Sequence, residues 1–213
     1  MSKSSETNQV IIETLKEFAE QTRSSKDHLR AVALQEVIRN GEDANYSLRS
    51  VVAKSGYGFS TFYKWWKGFD EYLLDAYALG TASYLRAEQK HIDRFDGETV
   101  ESYFRMIAVH AIAGNRAIPR GLFQSFYHSY LKGQISRMLD HVPKETEQIA
   151  SGFEHYFSAD GWVIDRQKLA QVVSLHATYM LMRKIDDRLI QADADLVELM
   201  IDSALGTIST PGK

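Results

Sequence analysis

The sequence predicts an all-α protein, and three observations carry that expectation. Apolar residues recur at spacings of three and four almost throughout, clean apolar–polar alternation is scarce, and only three prolines occur in 213 residues, none before Pro119. The first two are the periodicity of helices rather than strands. The third, about 1.4% proline against a usual 5% or so, leaves the first half of the chain with nothing that forces a helix to break. The absence of cysteine excludes a disulfide framework, a thiolate metal site and a cysteine nucleophile, and fits a reducing compartment. The longest nearly apolar runs, Met106–Gly114 and Leu175–Met182, are short and each holds a histidine, so no bilayer-spanning segment is expected. The start, MSKSSETNQ, lacks the basic and apolar stretches of a signal peptide. A soluble, cytoplasmic chain with no membrane partner is expected.

Along the chain, Ile11, Leu15 and Phe18 form one stripe of a short amphipathic helix over residues 8–22. After the polar break QTRSSKD, Ser25 or Asp27 caps a helix that stops at Asn40-Gly41. Ser47 caps a short helix, Leu48–Ser55, closed by Gly56. A second short helix, Phe59–Trp66, follows the link Gly56-Tyr57-Gly58. A longer helix runs from about Asp70 into the early nineties, up to the break at Asp96-Gly97. Further helices are expected at about 98–114, 118–139, 143–158, 165–189 and 192–207, with Pro119 and Pro143 at helix starts, where a missing N–H costs nothing. Residues 158–161 read as a turn, with Asp165 capping the helix after it. The total is nine or ten helices.

Charge is unevenly distributed. The 26 residues from Ala44 to Phe69 hold Arg49, Lys54, Lys64 and Lys67 and no acid, a charge of +4. The other 187 hold 21 basic and 28 acidic residues, a charge of −7. Attraction for a polyanion is therefore concentrated in that window. Two short helices joined by a tight glycine-containing link also form the helix-turn-helix unit, whose second helix enters the DNA major groove. At about 100° per residue, Phe62, Trp65 and Trp66 fall on one side of the second helix, the face expected to be buried. Ser60, Lys64 and Lys67 fall opposite, with Phe59 and Tyr63 on the edge. A phenol such as Tyr63 buries its ring and reaches a phosphate oxygen with its hydroxyl. A purely structural amphipathic helix would also carry lysines outside, but would not require the capped partner helix, the glycine link and the missing acids together.

The stretch LRSVVAKSGYGFSTFYKWWKGFDEYLL after Ser47 resembles the DNA-binding region of the tetracycline-repressor (TetR) family of bacterial transcription regulators. Val51 stands at that family's isoleucine, Ser55-Gly56 at its Ala-Gly, Thr61-Phe62-Tyr63 at its Thr-Leu-Tyr, and Trp66 at its phenylalanine. Gly68, Asp70-Glu71 and Tyr72 fill its Ser, Glu and Leu end. The resemblance covers residues 28–75. Tyr57 and Gly58 replace Val and Ser, removing a serine that caps the recognition helix and touches phosphate; a glycine cap is only slightly weaker. Phe69 stands where a lysine is frequent, leaving Lys67 to take that phosphate role, and Val52 replaces a small alanine.

The resemblance implies a helix-turn-helix domain over 24–75 and a helical effector-binding and dimerisation domain over 76–213, with the N-terminal helix or arm over 1–23 an addition to the family's usual plan. It implies a homodimer on a palindromic operator in double-stranded DNA, acting as a repressor and released by a small molecule. The candidate DNA contacts are Ser47, Arg49, Gly58, Phe59, Ser60, Thr61, Tyr63, Lys64 and Lys67. The family's dimer interface uses its last two helices, which here predicts contacts through Leu196, Leu199, Met200 and Leu205. Core within the chain is the competing explanation for that stripe. The candidate effector pocket draws on Phe104, His110, Phe123, Tyr127, Phe157, His176 and Met180, largely apolar walls with a few polar groups, suiting an apolar or aromatic effector. Ordinary core is the commoner role of aromatics and histidines at such spacing, and is the competing explanation for each of these.

No catalytic residue, metal or cofactor is expected. The inward Glu-x-x-His pairs of bundle metalloenzymes have one counterpart, Glu88-Gln89-Lys90-His91, in a polar setting, and no HExxH, phosphate loop or G-x-S-x-G occurs. The rival reading is a helical protein-interaction module without DNA binding. The N-terminal helix, with Glu13, Glu17 and Glu20, sits poorly beside phosphate and is expected to pack on the DNA-binding domain.

Overall fold

Serine, threonine and aspartate side chains cap the starts of three helices among the described residues. The computed structural model describes residues 24–40, 47–116, 139–185 and 193–209. Within them lie eight α-helices: α1 Ser25–Asn40, α2 Leu48–Ser55, α3 Phe59–Trp65, α4 Phe69–Asp93, α5 Val100–Arg116, α6 Val142–Phe157, α7 Arg166–Ile185 and α8 Asp193–Leu205. Before α2, the Ser50 N–H donates to Ser47 Oγ at 3.1 Å and the Ser47 N–H to Ser50 Oγ at 3.3 Å, a reciprocal cap. Thr99 and Ser102 repeat the device at α5, at 3.1 and 3.3 Å. Asp165 Oδ1 accepts the N–H groups of Gln167 and Lys168 at 3.1 and 3.0 Å, capping α7. The expected helices over 8–22 and 118–139 lie outside the described residues, apart from Leu139 in the turn before α6.

Two features depart from the sequence reading. The last helix ends at Leu205 rather than 207, and the chain then forms a two-residue strand, β2 Ile208–Ser209, antiparallel to β1 Val163–Ile164. Two residues are too few to show alternation, which is why the pattern gave no sign of them. The Asp165 N–H donates to the Thr207 carbonyl at 2.7 Å beside this ladder, satisfying the backbone at the start of α7. The expected 158–161 turn is a single 3₁₀ turn, Ser158–Asp160, ended by Gly161 at φ +80°.

Contacts divide the chain between Tyr84 and Leu85, inside α4. In the first unit, α1 packs on α2 and α3. Its core holds Leu29, Ala31, Val51, Val52, Phe62, Trp66, Tyr72, Leu73 and Tyr77. The buried Tyr72 hydroxyl donates to the Leu29 carbonyl at 2.8 Å, joining the start of α4 to α1.

The second unit is built around α6, which packs chiefly on α7. Ile92, Tyr103, Phe104, Ile149, Phe153, Phe157, Leu169, Leu196 and Met200 fill its centre. Phe104 and Phe153 stack at 5.7 Å between centroids, and Tyr103 meets Phe153 and Phe157 edge-on. Tyr103 donates to the Ile149 carbonyl at 2.7 Å, and Tyr156 to the Ile92 carbonyl at 2.7 Å. Burial, with the charge of Glu88 adding to it, pushes the Tyr103 phenol far above its ordinary pKa, so it remains a donor. Gly152 permits this close packing: a methyl there would overlap the Ile92 side chain and the Tyr103 hydroxyl. Gly152→Ala is expected to lower stability by about 2 kcal/mol, an overpacking cost, read as an earlier midpoint in urea denaturation.

Candidate nucleic-acid interface

α2 and α3 are the two short helices the sequence indicates, and the link between them follows from its glycines. Gly56 closes α2 at φ +73°, the left-handed region that a side chain strains. Gly58 starts α3 in an extended conformation with no side-chain cap. The Thr61 and Phe62 N–H groups donate to its carbonyl at 3.0 and 3.3 Å. Tyr57, held between two glycines, keeps its ring on the surface, edge-on to His28 of α1 at 5.6 Å.

α3 buries one side and exposes the other. Phe62 is fully buried against Trp66 and Tyr72, with centroids 5.2 Å away in both cases. On the outer side, Phe59, Ser60, Tyr63 and Lys64 are all exposed, Phe59 at 46% and Tyr63 at 55%. Ser47, Arg49, Gly58 and Lys67 are exposed as well, and Thr61 is half-buried. The nine candidate DNA contacts thus lie on α2, α3 and the residues flanking them, eight exposed and Thr61 half-buried. The Lys67 backbone N–H donates to Glu71 Oε2 at 2.8 Å, placing one of the two acids just beyond the basic window, Asp70 and Glu71, next to Lys67.

The two tryptophans divide differently from the helical-wheel expectation. Trp66 is 2% exposed, but Trp65 is 38% exposed. The departure is Trp65, the last residue of α3; Trp66 is buried as expected, but from outside the helix, with an extended backbone at φ −134° and ψ 139°. Leaving the helix lets Trp66 turn inward and donate its indole N–H to Asp75 Oδ2 at 2.9 Å. Trp65 instead lies at the edge, donating to Ser25 Oγ at 3.1 Å, with the Lys64 ammonium 5.1 Å from its ring centroid. Lys67 likewise follows the helix rather than lying on it.

Asp75 is the residue the sequence reading missed. Its carboxylate also pairs with Lys26 Nζ and Arg30 Nη1, each at 2.9 Å, and Arg30 is bound to Asp27 in turn. Burial pushes the Asp75 carboxyl up, but hydrogen bonds from Lys26, Trp66 and Arg30 outweigh it and hold the group below its ordinary pKa. The available signal was Lys26 and Arg30 four apart on one helix face, though nothing local in the chain connects them to residue 75.

The other expected sites fare unevenly. Phe104, Phe157 and Met180 belong to the core of the second unit. His110 is buried, its ring 4.8 Å from that of His91; burial and then Arg94 lower the His91 pKa. Burial takes His176 down to about 4, so it is neutral near pH 7, and its Nε2 lies 2.8 Å from Ser203 Oγ. Phe123 and Tyr127 lie outside the described residues. Of the expected dimer stripe, Leu196, at 1% exposure, and Met200 are core of the unit itself, and Leu205 packs against that core. Leu199, 51% exposed, is the surface member. Leu196 and Met200 are corrected from interface to core, because a four-residue step on α8 keeps both on its inward side. Glu88 is fully buried, not in the polar setting its flanking residues indicate. Among the described residues no cluster of three or more His, Asp or Glu side chains is arranged to hold a metal ion, and no helix is long and apolar enough to cross a membrane. No family model, curated protein or solved structure matches the chain.

Trp66→Ala is expected to cost roughly 3–5 kcal/mol, and Trp65→Ala less than about 1.5 kcal/mol, the loss of one exposed hydrogen bond. Thermal melts of the two variants give the comparison. Asp75→Asn should cost about 2 kcal/mol at pH 7. Because the folded Asp75 pKa is depressed, its contribution is complete above the unfolded value and disappears as pH falls through the folded one. The difference from the parent should therefore close below about pH 4, measured by urea titrations across pH 2–7.

Proposed function

We propose that the chain is a helix-turn-helix DNA-binding regulator of the TetR type, with α3 as its recognition helix. The observation that carries this reading is the two-sidedness of α3: Phe62 is buried, while Ser60, Tyr63 and Lys64 stand exposed within a 26-residue segment that has no acid. Hydroxyl and ammonium groups on one face suit phosphate oxygens and base edges. The short capped α2, the tight Gly56–Gly58 link and the buried Trp66 just after α3 together hold that face outward.

The finer plan follows the resemblance: a DNA-binding domain near the N-terminus, a helical effector-binding and dimerisation domain after it, and nine to ten helices in the whole chain. Two copies would present two recognition helices to a palindromic operator. Leu199 of α8 and Leu175 of α7, both exposed, are the apolar positions that support a contact between copies through the last two helices. A small apolar or aromatic effector that favours a dimer with mismatched recognition-helix spacing would release the operator, making the protein a repressor. Catalysis has no support in this reading.

The exposed rings Tyr57, Phe59, Tyr63 and Trp65 favour one alternative, a surface that binds another protein. Salt separates the two readings, because phosphate contacts release counterions and make affinity fall steeply with ionic strength. Duplexes selected from a random pool should yield a palindrome whose binding weakens strongly between low and moderate salt. The double variant Tyr63→Ala, Lys64→Ala should lose at least about tenfold in affinity, the effect of two charge-assisted or hydroxyl contacts, with an unchanged circular dichroism melt. Undiminished binding by that variant would overturn the assignment of α3.

A further inference from the structure

We propose that Phe59 is a specificity residue that reads the C5-methyl group of thymine in the major groove. The inference rests on the DNA-binding reading above and names the chemistry that one side chain would recognise. Phe59 stands nearly half exposed on a helix whose buried side is already filled by Phe62, with Trp66 turned in just after it. It shares the outer strip with Ser60, Tyr63 and Lys64, so a surface that brings Tyr63 to a duplex brings Phe59 with it. The surrounding charge narrows the partner to an anionic one: Arg49, Lys54, Lys64 and Lys67 with no acid from Ala44 to Phe69 complement a phosphate backbone rather than a neutral or basic protein face.

The chemistry of the ring narrows the target further. A benzyl group neither donates nor accepts hydrogen bonds, so it gains nothing from guanine N7 and O6, adenine N6 and N7, or the cytosine amino group. Among the four base pairs, the thymine methyl is the apolar group displayed in the major groove. Covering that methyl with Phe59 removes apolar surface of both from water, worth about three- to fivefold in affinity per methyl. Ser60 and Lys64 on the same strip are left to the polar edges and phosphates.

The test uses the full chain and the duplex it selects from a random pool. Each thymine of a half-site is replaced in turn by deoxyuridine, which removes the methyl and nothing else, and affinity is followed by fluorescence anisotropy. The expected result is that one or two positions per half-site lose about three- to fivefold on replacement, and that Phe59→Ala abolishes the difference between thymine and uracil there. Phe59→Leu, which keeps an apolar side chain, should retain it in part, and serves as the readout if the alanine variant melts early. A selected half-site without thymine, equal affinity for thymine and uracil at every position, or a uracil effect that persists undiminished in Phe59→Ala would each overturn the proposal while leaving duplex binding intact. Such insensitivity is also what insertion of the ring between base steps would give. Failure to enrich any duplex would instead overturn the DNA-binding reading itself, and this inference with it.

Discussion

The first unit turns on where one indole N–H goes. A seven-residue helix such as α3 does not persist on its own in water, so its orientation comes from what its inner residues bury. Trp66 supplies much of that burial, and its N–H, once out of water, needs an acceptor. Asp75 provides it, and carries a charge that would itself be costly to bury alone. Lys26 and Arg30 offset that charge from α1. One carboxylate therefore links α1, the residue ending α3 and the start of α4. The exposed strip of Phe59, Ser60, Tyr63 and Lys64 has a defined direction because the residue that ends their helix is fixed in this way.

Much of this was legible in the chain, and the reasons are local. Ser47, Gly56, Gly58 and Asp165 shape caps and turns within four residues of themselves, so those caps and turns can be read from sequence alone. The outward side of α3 was legible for the same reason, since the four residues that cover it lie within two turns. What failed was the inward place given to Trp65, which is 38% exposed. Phe62 and Ser60 lie inside α3 and fall where the wheel puts them. Trp66 and Lys67 lie beyond it, buried and exposed as expected though no longer helical, whereas Trp65, given an inward place by the wheel, sits at the edge as the last helical residue. No propensity marks that stop; it is set by tertiary burial of Trp66 against Tyr72, and by the partner at Asp75, whose position no short-range pattern encodes.

The second unit was harder to read because pocket walls and core share a composition. Phe104, Phe157 and Met180 have the spacing and chemistry of either, and they pack into the centre. Tyr103 and Tyr156 illustrate why polar atoms did not discriminate: each phenol reaches a backbone carbonyl on a neighbouring helix, Ile149 or Ile92, so a hydroxyl among apolar residues marks a structural bond as readily as a ligand contact. His176 is of the same kind, neutral and within hydrogen-bond distance of Ser203. Leu196 and Leu199 belong to one stripe in the sequence, yet α8 buries the first and exposes the second. A stripe read from periodicity locates an apolar sector; how deeply a neighbour covers that sector depends on the packing partner.

A chain of net charge −3 faces a particular difficulty if it binds a polyanion: attraction must be local, and here it comes from four cations in one window. That is a modest electrostatic footprint, since each neutralised phosphate contributes separately to the salt-dependent term. Under the proposed function, the remaining affinity has to come from contacts that salt does not screen. The exposed rings of Tyr57, Phe59, Tyr63 and Trp65 are the surface that fits this requirement, because apolar and ring contacts are insensitive to counterions. The same rings would be a liability on a free surface if large and contiguous. Their interleaving with Ser60, Lys64 and the glycines of the link keeps the apolar area divided, so that it stays hydrated until a partner with matching charge displaces the water.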